Sequence, residues 1–330
     1  MRVRKSLLCI FPFIVLMMTG CSLSARDAGL VSLTSLDDLS VISLSPGEKL
    51  RVVTTTSILG DIVANVSGQE INLEVLLPAG EDPHSFQPTP QDLRTISDAH
   101  VVFINGLGLE SFLSDTLESL GDQLIVVSLS EGVPARELGS HETDDDHAHH
   151  EAWGDFDPHV WLDPSNVEIW IDNIALALAI LDPTHAAYYN ASAQEYLGSL
   201  QELDVWIQDQ ITHIPESERN LVTDHFALGY FADRYGFEIL GAVIPSFSTD
   251  AEASAQQLAA LQREIQAVDA QALFVNVGSN PTVSAQLASD LDLQLVSLYI
   301  GTLSDAEGPA ASYLDLMHYN VETIVAALQG

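Results

Sequence analysis

Residues 50–80 read LRVVTTTSILGDIVANVSGQEINLEVLLPAG, and this stretch decides the fold class. The β-branched run Leu50–Thr56 predicts a strand, the apolar spacing of Ile58–Val66 predicts a helix, and Ile71–Leu77 predicts a second strand. A strand, a helix and a strand in this order form a βαβ unit, whose two strands pair in parallel. We therefore predict an α/β protein.

The alternation of strands and helices continues through most of the chain. In the first half, the pattern predicts helix Gln91–Ser97, strand His100–Ile104, helix Leu109–Leu120, strand Leu124–Leu129 and helix Pro164–Leu181. In the second half, it predicts strands at Leu221–Thr223, Glu238–Val243, Ala272–Val277 and Gln294–Leu298. The helices predicted between and after these strands are Ala227–Tyr235, Glu252–Val268, Val283–Leu291 and Ser312–Leu328. Two such sets predict two α/β lobes with parallel sheets.

One long amphipathic helix is predicted between the two sets. Its apolar side chains recur at helical spacing, at Tyr189, Ala193, Tyr196, Leu200, Leu203, Ile207 and Ile211. Pro183 suits the first turn of this helix, and Pro215 lies just beyond its end. Such a helix is about 40 Å long and can join two lobes rigidly. We assign residues 49–182 to an N-terminal lobe, 183–214 to the linking helix and 215–330 to a C-terminal lobe.

The N-terminus has the features of an export signal. Basic residues precede the apolar run Leu7–Met18, which is shorter than the roughly 20 residues of a spanning helix. Cys21 follows small residues, as in bacterial lipoprotein cleavage sites, so we predict a signal peptide over 1–20 and lipidation of Cys21. An ordinary signal peptide with an incidental cysteine is the alternative. Residues 21–48 are predicted to be a lipid-anchored tether, and no later stretch is expected to span a bilayer.

Composition limits what the chain can bind. Cys9 and Cys21 are its only two cysteines, and both lie in the N-terminal targeting region. Any metal site in the body must therefore use nitrogen and oxygen donors. The formal net charge of −36 repels nucleic acid and concentrates cations near the surface. Solubility or a saline habitat explains this acidity equally well, so charge alone does not identify a metal-binding protein.

Three histidines lie in loops beside predicted strands or helix starts. His84 occurs in PAGEDPHSFQPTPQDL, His159 in FDPHVWLDP and His225 in LVTDHFALGYF. Ligands of open α/β sheets bind at loops that follow the strands. A single histidine there usually has no ligand, but Asp-Pro-His occurs twice and the third histidine also follows an aspartate. We therefore treat all three as candidate metal ligands. The aspartates expected to orient a loop or an imidazole are Asp82, Asp157 and Asp224.

Four segments resemble one known family: LLPAGEDPHSFQPTPQDLRTISDAHVVFINGLGLE, DPHVWLDP, TDHFALGYFADRYGF and ASYLDLMHYNVETIV. They look like the periplasmic zinc- and manganese-binding proteins of ABC importers, family 9 (cluster A-I) of the solute-binding proteins. The resemblance runs from about Leu50 to Leu328. It implies two α/β lobes joined by a rigid helix, with metal in the interlobe cleft. It also implies that His84 and His159 come from the first lobe and His225 from the second.

The resemblance also implies a role and a location. It implies a receptor rather than an enzyme, outside the cytoplasm in the periplasm or at the outer face of the membrane. Its partners are then the metal ion and the permease of an ABC importer, and we expect a monomer.

The sequence departs from the family at two positions. The family often supplies an aspartate from a segment resembling Leu-Tyr-Thr-Asp-Ser-Leu, but residues 298–303 read LYIGTL, which places Gly301 at the acidic position. Asn276 replaces a common glutamate. Water, a histidine of the 140–151 loop or Asp305 is then expected to complete the site. Three imidazoles suit Zn²⁺, whereas Mn²⁺ favours oxygen donors. We predict Zn²⁺, with an Mn²⁺ receptor as the alternative.

A polar loop, residues 140–151, separates the first two candidate ligands in the chain. Its histidines, which are candidate accessory ligands, are His141, His147, His149 and His150. We interpret the loop as a low-affinity zinc collector; the alternative is a solvated insert with incidental metal affinity. The other histidines, interpreted as packing or surface residues, are His100, His185, His213 and His318.

Two functions of other classes are alternatives to a metal receptor. A zinc hydrolase or lyase can use three histidines and an open position, with Asp224 or Glu81 as a base. The chain has no HExxH pair and no clear nucleophile–base pair, which disfavours this alternative. A surface adhesin is the other alternative, but no sequence feature encodes such binding.

Overall fold

The first lobe is built on a parallel four-stranded sheet. The computed structural model describes residues 33–120, 124–137, 156–268 and 270–329. The strands, in the spatial order β2-β1-β3-β4, are β1 Leu50–Thr54, β2 Ile71–Val75, β3 Val101–Ile104 and β4 Ile125–Ser128. The helices that connect these strands are α1 Ser57–Ser67, α2 Pro90–Asp98 and α3 Ser114–Leu120. A short 3₁₀ turn, Ser111–Leu113, precedes α3, so the single helix predicted over Leu109–Leu120 is shorter and broken.

The second lobe repeats this architecture. Its strands, in the order β6-β5-β7-β8, are β5 Asn220–His225, β6 Glu238–Ile244, β7 Ala272–Asn276 and β8 Gln294–Leu298, and all pairs are parallel. Its helices are α6 Gly229–Tyr235, α7 Ala255–Val268, α8 Thr282–Leu291 and α9 Tyr313–Leu328. The predicted class, two α/β lobes with parallel sheets, is confirmed.

Two consecutive helices, α4 Pro164–Leu181 and α5 Ala186–Ile211, connect the lobes. The 26 residues of α5 make it about 39 Å long. It packs against α1 and α4 on one side and against α9 of the second lobe on the other. The apolar positions predicted to face the core are all buried, namely Tyr189, Ala193, Tyr196, Leu200, Leu203, Ile207 and Ile211.

The start of α5 differs from the prediction. The helix begins at Ala186, so Pro183 lies in the preceding turn rather than in the first helical turn. The carboxylate of Asp182 binds His185 Nδ1 at 2.6 Å and the Tyr189 hydroxyl at 3.0 Å. These bonds stabilise a turn between α4 and α5, which shifts the helix start beyond the proline.

Helix α4 also corrects an expectation. Within the described residues it is the one helix long and apolar enough to cross a membrane, with a mean hydropathy of 1.2. Trp170, Ile171 and Ile174 are nonetheless completely buried in the protein core. The helix is apolar because it lies between α1 and α5 and has neighbours on several sides.

Residues 33–48 pack on the first lobe, so the predicted tether is wrong for this part. Thr34 N donates to Val126 O at 2.7 Å, beside β4, and Ile42 N donates to Leu181 O at 3.0 Å, at the end of α4. Leu36 is 8% exposed and belongs to the main hydrophobic core. Weak periodicity concealed this docking because it depends on contacts with distant strands and helices. The predicted signal peptide and Cys21 lie outside the described residues.

Truncating Leu36 tests this docking. We expect Leu36→Ala to lower the free energy of unfolding by about 2 kcal/mol, since it removes a buried side chain from the core. Val41 lies in the same segment but is 61% exposed, so Val41→Ala should change stability by less than about 0.5 kcal/mol. Urea denaturation of both variants measures the difference, and equal effects would show that the segment does not contribute a buried side chain.

Candidate metal centre

Each of the three candidate ligands lies at a loop between a strand and a helix. His84 follows β2, His159 precedes α4, and His225 is the last residue of β5. In both Asp-Pro-His segments the aspartate accepts the backbone N–H two residues later: His84 N lies 3.1 Å from Asp82 Oδ1, and His159 N lies 3.0 Å from Asp157 Oδ1. Proline fixes the backbone between the two groups, so this sequence folds locally into a turn.

The three imidazoles converge on one point. Nε2 of His84 lies 3.1 Å from Nε2 of His159, which lies 3.4 Å from Nε2 of His225. One nitrogen of each ring lies within 4.8 Å of those of the other two. Tetrahedral Zn²⁺ with bonds of about 2.0–2.1 Å separates its nitrogen ligands by about 3.3 Å. The two shorter separations therefore match those of a metal-binding triad.

Two of the imidazoles are oriented by carboxylates. His159 Nδ1 lies 2.8 Å from Asp157 Oδ1, and His225 Nδ1 lies 2.7 Å from Asp224 Oδ1. A carboxylate accepts a hydrogen bond from Nδ1–H and so holds the ring proton on Nδ1, which leaves the lone pair of Nε2 for a metal. Asp82 differs, because its carboxylate binds the backbone of His84 and the Thr249 hydroxyl, at 2.7 Å, rather than the ring.

The protonation of these groups follows from burial and from their partners. Burial lowers the pKa of His84 and of His159, and the neighbouring imidazoles lower both further. Burial alone would also lower the pKa of His225, but the charge and hydrogen bond of Asp224 raise it overall. Burial raises the pKa of Asp157 to about 7, although the His159 backbone and Arg136 oppose the shift. Burial and the neighbouring imidazoles thus favour the neutral forms of His84 and His159, which are the forms that bind a cation.

Arg136, which the sequence analysis missed, connects this centre to both lobes. It follows β4 in the first lobe, and its Nε lies 3.1 Å from Asp233 Oδ2 on α6 of the second lobe. Its Nη1 lies 3.8 Å from Asp157 Oδ2, and its backbone N–H donates to the Tyr230 hydroxyl at 2.9 Å. The acidic chain holds only eleven lysines and arginines, and this scarcity of basic residues was the one sequence signal that could have drawn attention to Arg136.

A cavity of about 380 Å³ opens beside His84. Pro158, three phenylalanines and Asp250 contribute to its lining; the phenylalanines are Phe86, Phe112 and Phe247. His159 and His225 are 1% and 0% exposed, whereas His84 is only partly buried. The cavity therefore reaches the three-histidine cluster from the side of His84.

The other predicted site residues are placed differently. Asp305 is exposed and is not part of the histidine cluster. His141, His147, His149 and His150 lie outside the described residues. Among the residues that the structure does describe, the three histidines form the one group of side chains arranged so that it could hold a metal ion. Gly301 lies beside Pro83, and its backbone N–H donates to Asn276 Oδ1 at 3.3 Å.

A cluster of three imidazoles, two of them fully buried and oriented by carboxylates, is contributed by two α/β lobes with parallel sheets and defines a two-lobed metal-binding protein. Residues 52–327 match the family described as ZnuA, the periplasmic component A of the zinc-uptake complex. The chain belongs to this family.

Individual relatives support the assignment and differ in their metals. The manganese-binding lipoprotein MntA of Halalkalibacterium halodurans is 34% identical, over 96% of this chain and 95% of its own. The periplasmic zinc-binding protein TroA of Treponema pallidum is 29% identical, with a TM-score of 0.74 over 86% of this chain and 99% of TroA. The manganese-bound periplasmic protein of Candidatus Liberibacter asiaticus is 26% identical, with a TM-score of 0.74 over 85% of this chain and 100% of that protein.

Proposed function

We propose that this protein captures Zn²⁺ through His84, His159 and His225 and delivers it to the permease of an ABC importer. The observation that carries the proposal is the convergence of three Nε2 atoms at 3.1 and 3.4 Å. Within the described residues, no carboxylate joins this cluster. Imidazole donors suit Zn²⁺, whereas Mn²⁺ favours carboxylate and other oxygen donors. An Mn²⁺ receptor is the second candidate, because the MntA relative is described as manganese-binding.

A receptor is favoured over a zinc hydrolase or lyase because neither base considered within the described residues is available. Asp224 already accepts hydrogen bonds from the backbone N–H and Nδ1 of His225, from Asn276 N at 2.8 Å and from the Ser279 hydroxyl at 3.0 Å. The other base considered, Glu81, is exposed to solvent. A carboxylate that holds four donors orients its partners and is poorly placed to accept a proton from a bound water.

We also propose that the protein acts outside the cytoplasm, attached to the membrane by lipid at Cys21 after removal of residues 1–20. The lipoprotein relatives support this location. We also propose that the 140–151 loop collects zinc. It leaves the described chain between Glu137 and Phe156, which pair as an antiparallel bridge next to Arg136.

Metal titration of the metal-free mature protein tests the choice of metal. Most nitrogen and oxygen sites bind Zn²⁺ more tightly than Mn²⁺, so preference in a competition experiment does not decide the question. Direct binding does: we expect one Zn²⁺ per chain by competition with a chelating dye. We also expect no saturable Mn²⁺ binding by electron paramagnetic resonance at concentrations where Zn²⁺ saturates. Saturable Mn²⁺ binding that His225→Ala abolishes would favour the manganese receptor.

A further inference from the structure

Two glycines of the second lobe lie against the loop that carries His84, residues 78–84, hereafter the first ligand loop. A Cβ atom at Gly301 would lie 2.8 Å from Pro83 Cδ and 3.2 Å from Pro83 Cγ. A Cβ atom at Gly278 would lie 2.8 Å from the carbonyl oxygen of Gly80, and Gly278 has a φ of +94°. Both positions therefore require glycine for the loop to approach this closely.

Hydrogen bonds hold the first ligand loop in this position. Gly80 N donates to Thr302 Oγ1 at 2.8 Å and lies 3.1 Å from the carbonyl oxygen of Leu303. Asp82, which also binds His84 N, accepts the Thr249 hydroxyl at 2.7 Å. Two loops of the second lobe thus bind this loop of the first lobe and a third, at Gly278, contacts it, and its position sets that of the His84 imidazole.

The backbone at Gly301 is itself held by hydrogen bonds. Gly301 is buried, and Asn276 Oδ1 accepts both its backbone N–H, at 3.3 Å, and that of Ile300, at 3.2 Å. Asn276 is the last residue of β7 and is 3% exposed, so it holds this backbone from within the core. A side chain at position 301 cannot be accommodated by moving Gly301 and must displace Pro83, the residue next to His84.

We propose that Gly278 and Gly301 are specificity-determining positions that seat the first ligand loop. The Pro83 ring occupies the space that a side chain at position 301 would enter. The metal site therefore excludes a carboxylate from this position and leaves its fourth donor to the cavity beside His84. This inference rests on the proposed three-histidine function. It explains why position 301 holds a glycine where the family often has an aspartate.

Alanine substitution at position 301 tests the seat. We expect Gly301→Ala to raise the Kd for Zn²⁺ by about tenfold, because the added Cβ displaces Pro83 and with it His84. Gly198 on α5 is a matched control, since a Cβ atom there meets no atom within 4 Å. Gly198→Ala should leave the Kd unchanged, and an unchanged Kd in Gly301→Ala as well would overturn the inference.

Two further variants keep the test decisive. In Pro83→Ala/Gly301→Ala the clashing ring is gone, so Zn²⁺ affinity should return to that of Pro83→Ala alone; purely additive losses would contradict a clash. Gly301→Asp should weaken Zn²⁺ binding and create no Mn²⁺ binding, and a gain of saturable Mn²⁺ binding would show a donor position instead. Circular dichroism confirms that each variant is folded.

Failure of this inference is distinguishable from failure of the proposed function. If His225→Ala retains wild-type Zn²⁺ binding, the three-histidine site itself is wrong. If His225→Ala loses binding while Gly301→Ala does not, only the role assigned to the glycine seat is wrong.

Discussion

Replacing His225 by alanine is expected to weaken Zn²⁺ binding by about 100-fold or more. A structural zinc site contributes about 10–16 kcal/mol in total, so one of four donors supplies about 3 kcal/mol, which is roughly 100-fold in Kd. His225 is completely buried, and within the described residues no other histidine or carboxylate lies close enough to replace it. His159→Ala should have an effect of similar size, because that ring is equally buried and lies between the other two.

The measurement must separate loss of a ligand from loss of fold. A chelating dye of known zinc affinity reports the Kd, and thermal unfolding of the metal-free variants reports stability. His213→Ala is the control, because His213 is exposed and lies outside the cluster. A His225→Ala protein that binds one Zn²⁺ per chain with wild-type affinity would remove His225 from the site.

The second large effect is expected at a residue that does not touch the metal. Asp224→Asn should weaken Zn²⁺ binding by about 10- to 100-fold, the usual cost of losing a partner behind a ligating histidine. An amide can donate to Nδ1 of His225, which stabilises the tautomer whose Nε2 carries a proton. Asp82→Asn is the matched control and should have a smaller effect, since Asp82 binds the backbone of His84 and not its ring.

The pH dependence of binding gives this prediction a second readout. Asp224 raises the pKa of His225 against the opposing effect of burial, so protons compete with the metal as pH falls through that raised pKa. Zn²⁺ affinity of the wild type should therefore fall on acidification in this range. In Asp224→Asn the pKa of His225 is lower, and the fall should begin at a lower pH. An unchanged pH profile would show that Asp224 does not control this imidazole.

Local sequence was a good guide to the elements and a poor one to their docking. Short β-rich runs predicted the eight strands of the described residues, and helical spacing of apolar side chains predicted the long α5, because both patterns follow from which residues are buried. The segment around Leu36 and the turn at Pro183 were misjudged. The segment depends on partners far away in the chain, such as β4, whereas the turn depends on hydrogen bonds of the Asp182 side chain that residue spacing does not reveal.

The candidate site was predictable in its parts but not in its assembly. The sequence Asp-Pro-His predicts a turn because the aspartate binds the backbone N–H only two residues later. The convergence of His84 and His159, 75 residues apart, has no such local cause. Arg136 was missed for the same reason, since its partners Asp157 and Asp233 belong to different lobes.

By itself, the sequence determined the α/β class, the lack of thiolate donors in the body and the histidine-bearing turns. These properties depend on composition and on interactions between near neighbours in the chain. Only the tertiary structure decided that the imidazoles meet and that the Pro83 ring fills the space beside Gly301. The loops that meet there, joined by the bond from Gly80 to Thr302, are 222 residues apart, so their packing depends on how the two lobes dock.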